Sequence, residues 1–169
     1  MDINLIINFL TAIISLFVPW FTFPSSPVDV PAETMAEVVS VIDGDTIEVN
    51  VDGKKETVRY IGIDTPEPRR EGKPECGSHE ATKYNRELVA GKTVRLVADA
   101  EDRDQYDRLL RYVYVGEGTA EVFVNDAIIA AGLARPLIIP PNDMFASSFK
   151  EAARAAAASN VGNWALCPD

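Results

Sequence analysis

Two short acidic segments of this 169-residue chain contain residue types whose spacing could support chemistry: Asp43–Thr46 (DGDT) and Asp64–Glu67 (DTPE). Either segment alone is typical of an ordinary turn with solvated carboxylates. Both lie at boundaries of β-branched runs, so Asp45 and Asp64 are predicted to converge at one end of a small sheet. Converging carboxylates repel each other unless a cation lies between them, and hard oxygen ligands favour Ca²⁺ or Mg²⁺. We therefore expect a divalent cation at this position.

Two arginines accompany the acidic segments. Arg59 lies in the third predicted strand, and Arg108 lies in a loop rich in acidic residues. Considered singly, Arg59 would be a solvated strand residue and Arg108 a member of a surface salt bridge. Their spacing relative to the acidic segments is what makes a functional interpretation possible.

The elements that position these residues follow from residue 36 onward. Strands are predicted at 37–42, 46–51, 55–63, 93–98 and 109–115. Helices are predicted at 79–90, 121–131 and 143–159, with Ser78 as the N-cap of the first. This α+β pattern, mainly β, predicts a five-stranded OB-fold barrel with three helices. An SH3-like barrel is the competing architecture, but it rarely carries this much helix.

The N-terminal region differs in composition from the remainder. Residues 5–23 are dominantly apolar and carry no charge, whereas a buried amphipathic helix would show charges on one face. We therefore expect a signal peptide or membrane anchor at 1–23, a Pro- and Ser-rich linker at 24–35, and the OB-fold domain at 36–169. Cleavage of the first segment is left open, and the domain is predicted to lie outside the cytoplasm, either secreted or membrane-anchored.

Cysteine content and charge constrain the chain further. Cys76 and Cys167 are the only cysteines, too few for a structural zinc site. An oxidising compartment favours a disulfide between them, with two independent thiols as the alternative. The net charge of −10 argues against general binding to nucleic acid, because such affinity comes largely from neutralised phosphates. Any nucleic-acid function must therefore depend on a local site.

Taken together, the motifs resemble the staphylococcal nuclease (thermonuclease) family from about Val38 to Trp164. The resemblance rests first on DGDT, on an arginine fourteen residues after its second aspartate, and on DTPE five residues after that arginine. It rests also on Tyr-x-Arg before the fifth strand, on VND leading to GLA, and on a closing Asn-Trp. It implies an OB barrel and a monomeric, calcium-dependent enzyme that hydrolyses DNA and/or RNA and leaves a 3′-phosphate. The alternatives are a non-catalytic OB module that binds single strands or a protein, and a structural surface domain.

The resemblance also implies residue roles. Asp45, Asp64 and the carbonyl of Thr65 would hold Ca²⁺. Arg59 and Arg108 would clamp the phosphate, and Glu67 would position or deprotonate the attacking water. Tyr106 would lie near the phosphate in a supporting role.

Several positions depart from the family pattern. Asp107 replaces the usual glycine between Tyr106 and Arg108, and Gln105 replaces a lysine. The two positions at which tyrosines would pack against the nucleotide are Ile138 and Pro140. These departures put the affinity for substrate and the base preference in question, since base stacking contributes about 1–3 kcal/mol per base. Three cationic residues of the loop after Glu67 are candidates for contacts with flanking phosphates: Arg69, Arg70 and Lys73. Trp164 is predicted to be a plug in the core.

Overall fold

The computed structural model describes residues 32–69 and 72–167. The predicted signal peptide or anchor at 1–23 lies outside these residues, as do Arg70 and the linker up to residue 31. Among the helices of the described residues, none combines the length and the apolar character needed to cross a membrane.

The β-strands form two sheets. They are β1 (Glu33–Val41), β2 (Thr46–Val51), β3 (Lys54–Tyr60), β4 (Gly62–Asp64), β5 (Thr93–Val97), β6 (Leu109–Val115), β7 (Val122–Phe123) and β8 (Arg135–Leu137). The helices are α1 (Ser78–Val89), α2 (Val124–Ala130), α3 (Ala146–Ala158) and the single-turn α4 (Asn163–Leu166).

Five strands close into a barrel. The order is β3-β2-β1-β5-β6, and β3 also pairs in parallel with β6, which joins the two edges. Side chains that alternate along the strands fill the interior, and Ile47, Val49, Val58, Val94 and Val113 are each fully buried there. The predicted OB-fold barrel with three helices is thereby confirmed, with α4 as an additional turn.

The third predicted strand, 55–63, is broken in the structure. The chain turns at Ile61, and Gly62 adopts a left-handed φ of 80°. A Cβ at Gly62 would lie only 2.5 Å from the ring of Phe149, so no other residue fits there without a shift. Beyond this turn, β4 leaves the barrel and pairs with β8, which places Asp64 opposite Arg135.

Element boundaries also differ from the sequence prediction. Ser78 is not an N-cap: Gly77 occupies that position with a φ of 82°, and no side chain caps the helix. Helix α2 begins at Val124, because Val122 and Phe123 pair with β6 instead. Strand β1 begins at Glu33, three residues before the predicted start of the domain.

A disulfide connects Cys76 with Cys167, whose Cα atoms lie 5.8 Å apart. It joins the loop before α1 to the residue that follows α4. Nearby, Asn163 packs so closely against Gly77 that a Cβ there would lie 1.9 Å from Asn163 Oδ1. The C-terminal segment therefore supports the loop that carries Glu67.

Candidate functional site

Arg59 connects the two acidic segments at one end of the barrel. Its Nη1 lies 3.1 Å from Asp45 Oδ1, and its Nη2 lies 3.1 Å from Asp64 Oδ1. Nη1 also donates to the carbonyl oxygens of Tyr60 and Ile63, at 3.0 and 2.8 Å. The carboxylates of Asp45 and Asp64 thus meet at a single guanidinium group.

Strand register explains this convergence. Asp45 directly precedes β2, and Arg59 of β3 lies opposite Thr46. The N–H of Tyr60 donates to the carbonyl of Asp45 at 2.9 Å. The turn at Ile61 then directs β4 back past the end of β3, so Asp64 arrives beside Arg59.

Asp45 is buried and has a partner at every acceptor position. Its Oδ2 accepts from the N–H and the hydroxyl of Thr65, at 2.7 and 3.0 Å. Its Oδ1 accepts from the Thr46 hydroxyl at 3.1 Å, in addition to the Arg59 contact. Burial raises the pKa of Asp45 to about 6, with a further increase from Asp43 and an opposing effect of the Arg59 charge.

Glu67 lies three residues after Asp64, and Glu75 holds its backbone from across the loop. The Glu67 N–H donates to Glu75 Oε2 at 2.8 Å, and the Glu75 N–H donates to the Glu67 carbonyl at 2.9 Å. Partial burial raises the pKa of the Glu67 carboxyl, as do the charges of Asp43 and Asp64, whereas Arg59 lowers it.

Arg108 is held within its own loop. Its Nε and Nη2 each lie 2.7 Å from Asp104 Oδ2. Asp104 Oδ1 accepts from the N–H groups of Tyr106 and Arg108 at 3.0 Å each, an Asx-type turn. Asp107 has a left-handed φ of 65°, and its carboxylate lies 3.5 Å from Arg103 Nη1. The acid that replaces the family's glycine therefore pairs with Arg103 and not with Arg108.

Arg59 and Arg108 line one cleft of about 330 Å³, whose apolar wall includes Leu137 and Ile139. Ile138 packs against the core instead, and Pro140 is exposed. The neighbouring Tyr106 is 71% exposed, and its ring centroid lies 5.4 Å from Arg108 Cζ. In the other loop, Arg69 and Lys73 are both exposed.

The donor atoms at the end of the barrel fit a hard cation. Four carboxylates (Asp43, Asp45, Asp64 and Glu67) act on one another here, with Arg59 as the cation that faces them. The described part of the chain contains no cluster of three or more side chains arranged as metal ligands. At most two of these carboxylates therefore lie close enough together, within the described residues, to share one cation. Because Asp45 has no vacant acceptor position, a cation that binds it competes with the Arg59 guanidinium.

Sequence reasoning missed three residues that support the site. Asn85 is fully buried on α1, donates to the carbonyl of Asp43 and accepts from the Tyr60 hydroxyl, both at 2.9 Å. Glu75 and Asp104 hold the two loops. An aspartate two residues before Tyr106 is a detectable turn signal, but nothing local distinguishes Asn85 or Glu75.

Fold and site together define an OB-fold protein in which a carboxylate pair adjoins an open cleft lined by two arginines, an arrangement suited to a cation and a phosphate ester. Comparison with known proteins agrees with this description of the fold and the site. The family model described as staphylococcal nuclease homologue matches residues 57–166. The thermonuclease of Staphylococcus intermedius is 36% identical over 143 residues, which cover 84% of this chain and 82% of that protein.

Two further relatives extend this comparison. The thermonuclease of Staphylococcus hyicus is 34% identical over 158 residues, covering 90% of this chain and 91% of that protein. Endonuclease YncB of Bacillus subtilis (strain 168) is 38% identical over 126 residues, covering 73% and 58% respectively. The chain belongs to the staphylococcal nuclease family, whose members are generally metal-dependent, and is a nuclease, a hydrolase of phosphodiester bonds.

Proposed function

We propose that this protein is a calcium-dependent nuclease that hydrolyses DNA and/or RNA and leaves 3′-phosphate ends. The observation that carries the proposal is the Arg59 guanidinium, which contacts Asp45 and Asp64 while it lines the same cleft as Arg108. Carboxylates for a cation and guanidinium groups for a phosphate are thereby adjacent.

Asp45, Asp64 and the backbone carbonyl of Thr65 are the proposed calcium ligands. The carboxylate of Asp64 is 54% exposed and therefore accessible, whereas Asp45 must release or share its contact with Arg59. The bound ion would supply positive charge that stabilises the transition state. With two protein carboxylates we expect a Kd of about 10⁻⁴–10⁻³ M.

Arg59 and Arg108 are the proposed phosphate-binding residues. Arg108 uses Nε and Nη2 on Asp104, which leaves its Nη1 to donate to a phosphate oxygen. Additional negative charge develops on these oxygens in the transition state, so guanidinium contacts become stronger there than in the ground state.

Glu67 is the proposed general base. Its raised pKa makes the carboxylate a better proton acceptor. The water oxygen bonds to phosphorus while its proton passes to Glu67. The bond from phosphorus to the 5′ oxygen breaks, and that oxygen takes up a proton from solvent as a 5′-hydroxyl, which leaves the phosphate on the 3′ side.

The remaining expectations belong to this proposal. Tyr106 would lie beside the bound phosphate, and Arg69, Arg70 and Lys73 would contact flanking phosphates. The nuclease domain would act as a monomer outside the cytoplasm, either secreted or anchored by the N-terminal segment.

The test is an assay of the purified protein on plasmid DNA and on RNA with Ca²⁺, with Mg²⁺ or with a chelator, followed by end-group analysis. We expect Ca²⁺-dependent cleavage with 3′-phosphate ends, abolished in Asp64→Asn and retained in the matched surface variant Asp52→Asn. Binding of an oligonucleotide without metal-dependent cleavage would favour the non-catalytic module. Cleavage supported by Mg²⁺ alone, or 5′-phosphate ends, would contradict the proposed cofactor or product.

A further inference from the structure

A second cleft, of about 420 Å³, adjoins the site, and the residues on its far side have no role in the chemistry described above. Asp64 and Thr65 line one side of it. Arg135, Trp164 and the Cys76–Cys167 disulfide line the remainder. Strand β4 lies between the two clefts, because Gly62 and Ile63 line the first and Asp64 lines the second.

Arg135 is a cation beside this site, and no carboxylate of the described residues is its partner. It lies on β8 opposite Asp64, is exposed, and forms no ion pair within the described residues. Five other arginines are each paired with a carboxylate: Arg59, Arg95, Arg103, Arg108 and Arg111. An unpaired guanidinium in a chain of net charge −10 is suited to an anionic ligand.

Trp164 supplies an aromatic surface next to that cation. The residue is 42% exposed, so the sequence prediction of a core plug is wrong. Its ring centroid lies 5.8 Å from Arg135 Cζ. Helix α4, which carries it, is held by the bond from the Asn163 N–H to the Gly132 carbonyl at 2.9 Å and by the disulfide at Cys167. The indole is thus fixed relative to the loop of Glu67.

We propose that the second cleft binds a nucleotide that flanks the scissile phosphate, with its base stacked on Trp164 and its phosphate paired with Arg135. The inference rests on the proposed function, because it assigns a further part of the same nucleic-acid substrate. An indole and a guanidinium that lies over its ring match the two recognisable parts of a nucleotide, the base and the phosphate. The site would also supply base stacking that Ile138 and Pro140 do not provide at the first cleft.

Binding can be measured directly through tryptophan fluorescence. Trp164 is one of two tryptophans, and Trp20→Phe leaves it as the single tryptophan, which can be excited selectively over tyrosine. In this background Glu67→Gln prevents turnover, and the protein is titrated with thymidine 5′-monophosphate or a thymidine tetranucleotide in Ca²⁺. We expect the tetranucleotide to quench Trp164 at concentrations about tenfold or more below those of the mononucleotide, because only the longer ligand reaches both clefts. Equal quenching curves for the two ligands would overturn the proposal.

Kinetics separate a substrate contact from a structural role. We expect Arg135→Gln and Trp164→Leu each to lower kcat/KM on the tetranucleotide by about tenfold or more. On a nitrophenyl phosphodiester of a single thymidine, which lacks the flanking nucleotide, the same variants should remain within about twofold of the parent. Arg154→Gln on α3, an exposed arginine without an ion pair within the described residues, is the matched control.

An abasic tetranucleotide tests the stacking and is needed if Trp164→Leu does not fold. Loss of the flanking base should weaken binding to the parent and to Arg135→Gln by the same factor, less so to Trp164→Phe, whose smaller ring still stacks, and little to Trp164→Leu. Equal losses on both substrates, or no loss on either, would overturn the second subsite. Failure of the parent to cleave any substrate would instead count against the proposed nuclease mechanism, and the quenching titration would still report on the cleft.

Discussion

Arg59 and Arg108 line the same cleft, but different kinds of structure hold them. Arg59 lies on a barrel strand and contacts four acceptors that come from three places along the chain. Arg108 lies in a loop and is held by Asp104, four residues away. The difference shows that long-range packing fixes the barrel end of the site, whereas a local turn fixes the loop end.

The loop of Glu67 combines both kinds of support. Glu75 accepts from the Glu67 N–H with its carboxylate and donates its own N–H to the Glu67 carbonyl. The adjacent Cys76 is bonded to Cys167 at a sequence separation of 91. The loop of Glu67, which leaves the barrel, is therefore attached at its far end to the residue that follows α4.

The largest effect is expected from Arg59→Ala. Removal of a donor to the transition-state phosphate should lower kcat by about 10²–10³. The variant also leaves Asp45 and Asp64 without their shared counter-ion, so Ca²⁺ should bind at least as tightly and raise the melting temperature by more than it does in the parent. Turnover and Ca²⁺-dependent thermal unfolding are the measurements.

The matched control is Arg95→Ala, a barrel-strand arginine that also pairs with two carboxylates, Glu33 and Glu121. It should leave kcat and the calcium effect close to those of the parent. If Arg59→Ala instead abolished the calcium-induced rise in melting temperature, the competition between Arg59 and the cation would be disproved.

Next in size is the change Cys76→Ser with Cys167→Ser. A crosslink at this separation restricts the unfolded chain, and loss of such bridges typically costs about 2–4 kcal/mol. The free energy of unfolding should fall by this amount in denaturant titration. Activity below the new melting temperature should also fall, because the Glu67 loop loses its attachment to α4.

Treatment of the parent protein with a reductant is the corresponding control and should reproduce both changes. An unchanged unfolding free energy in the double variant would mean that the bridge does not form in solution.

The barrel end and the loop end of the site also differ in how well the sequence predicts them. The strands of the barrel follow from β-branched runs such as Thr46–Val51, and the joint spacing of the motifs predicts that Asp45, Arg59 and Asp64 belong together. The break between β3 and β4 does not follow, because it depends on contact between Gly62 and Phe149, which is distant in sequence.

Side-chain partners were harder still to predict. The resemblance to the family raised the question of whether Asp107 would disturb Arg108, but only the structure shows that the carboxylate turns to Arg103. The sequence predicts Trp164 as a core plug and not a ligand platform, yet the C-terminal turn leaves it 42% exposed. Such outcomes depend on tertiary packing, which local patterns do not encode.

A smaller effect is expected at Asp107, the point at which the loop departs from the family pattern. Its φ of 65° disfavours β-branched residues, so Asp107→Val should lower the free energy of unfolding by about 1–2 kcal/mol and reduce activity through displacement of Arg108. Asp107→Gly and Asp107→Asn, which tolerate this conformation, should lie close to the parent in both thermal unfolding and turnover. Equal effects of all three changes would show that the carboxylate, and not the backbone conformation, matters.

The smallest effect is expected at Glu56 on β3, which connects the loop of Arg103 and Arg108 to the barrel. Arg103 Nη1 donates to Glu56 Oε2 at 3.0 Å and to the Asp107 carbonyl at 2.8 Å. Hydrogen bonds from Arg103 and Lys54 lower the pKa of Glu56 from 4.5 to about 2. A lowered carboxyl pKa stabilises the folded state at pH values above the unfolded pKa, and this stabilisation is lost as the pH falls from about 4.5 to about 2.

Glu56→Gln should therefore lower the melting temperature most at neutral pH, by the equivalent of less than about 1 kcal/mol, and the difference from the parent should disappear in acid. Glu117→Gln, at an exposed acid, should show no such closing difference, and a gap for Glu56→Gln that persisted at pH about 2 would show that the lost contacts are not ionic.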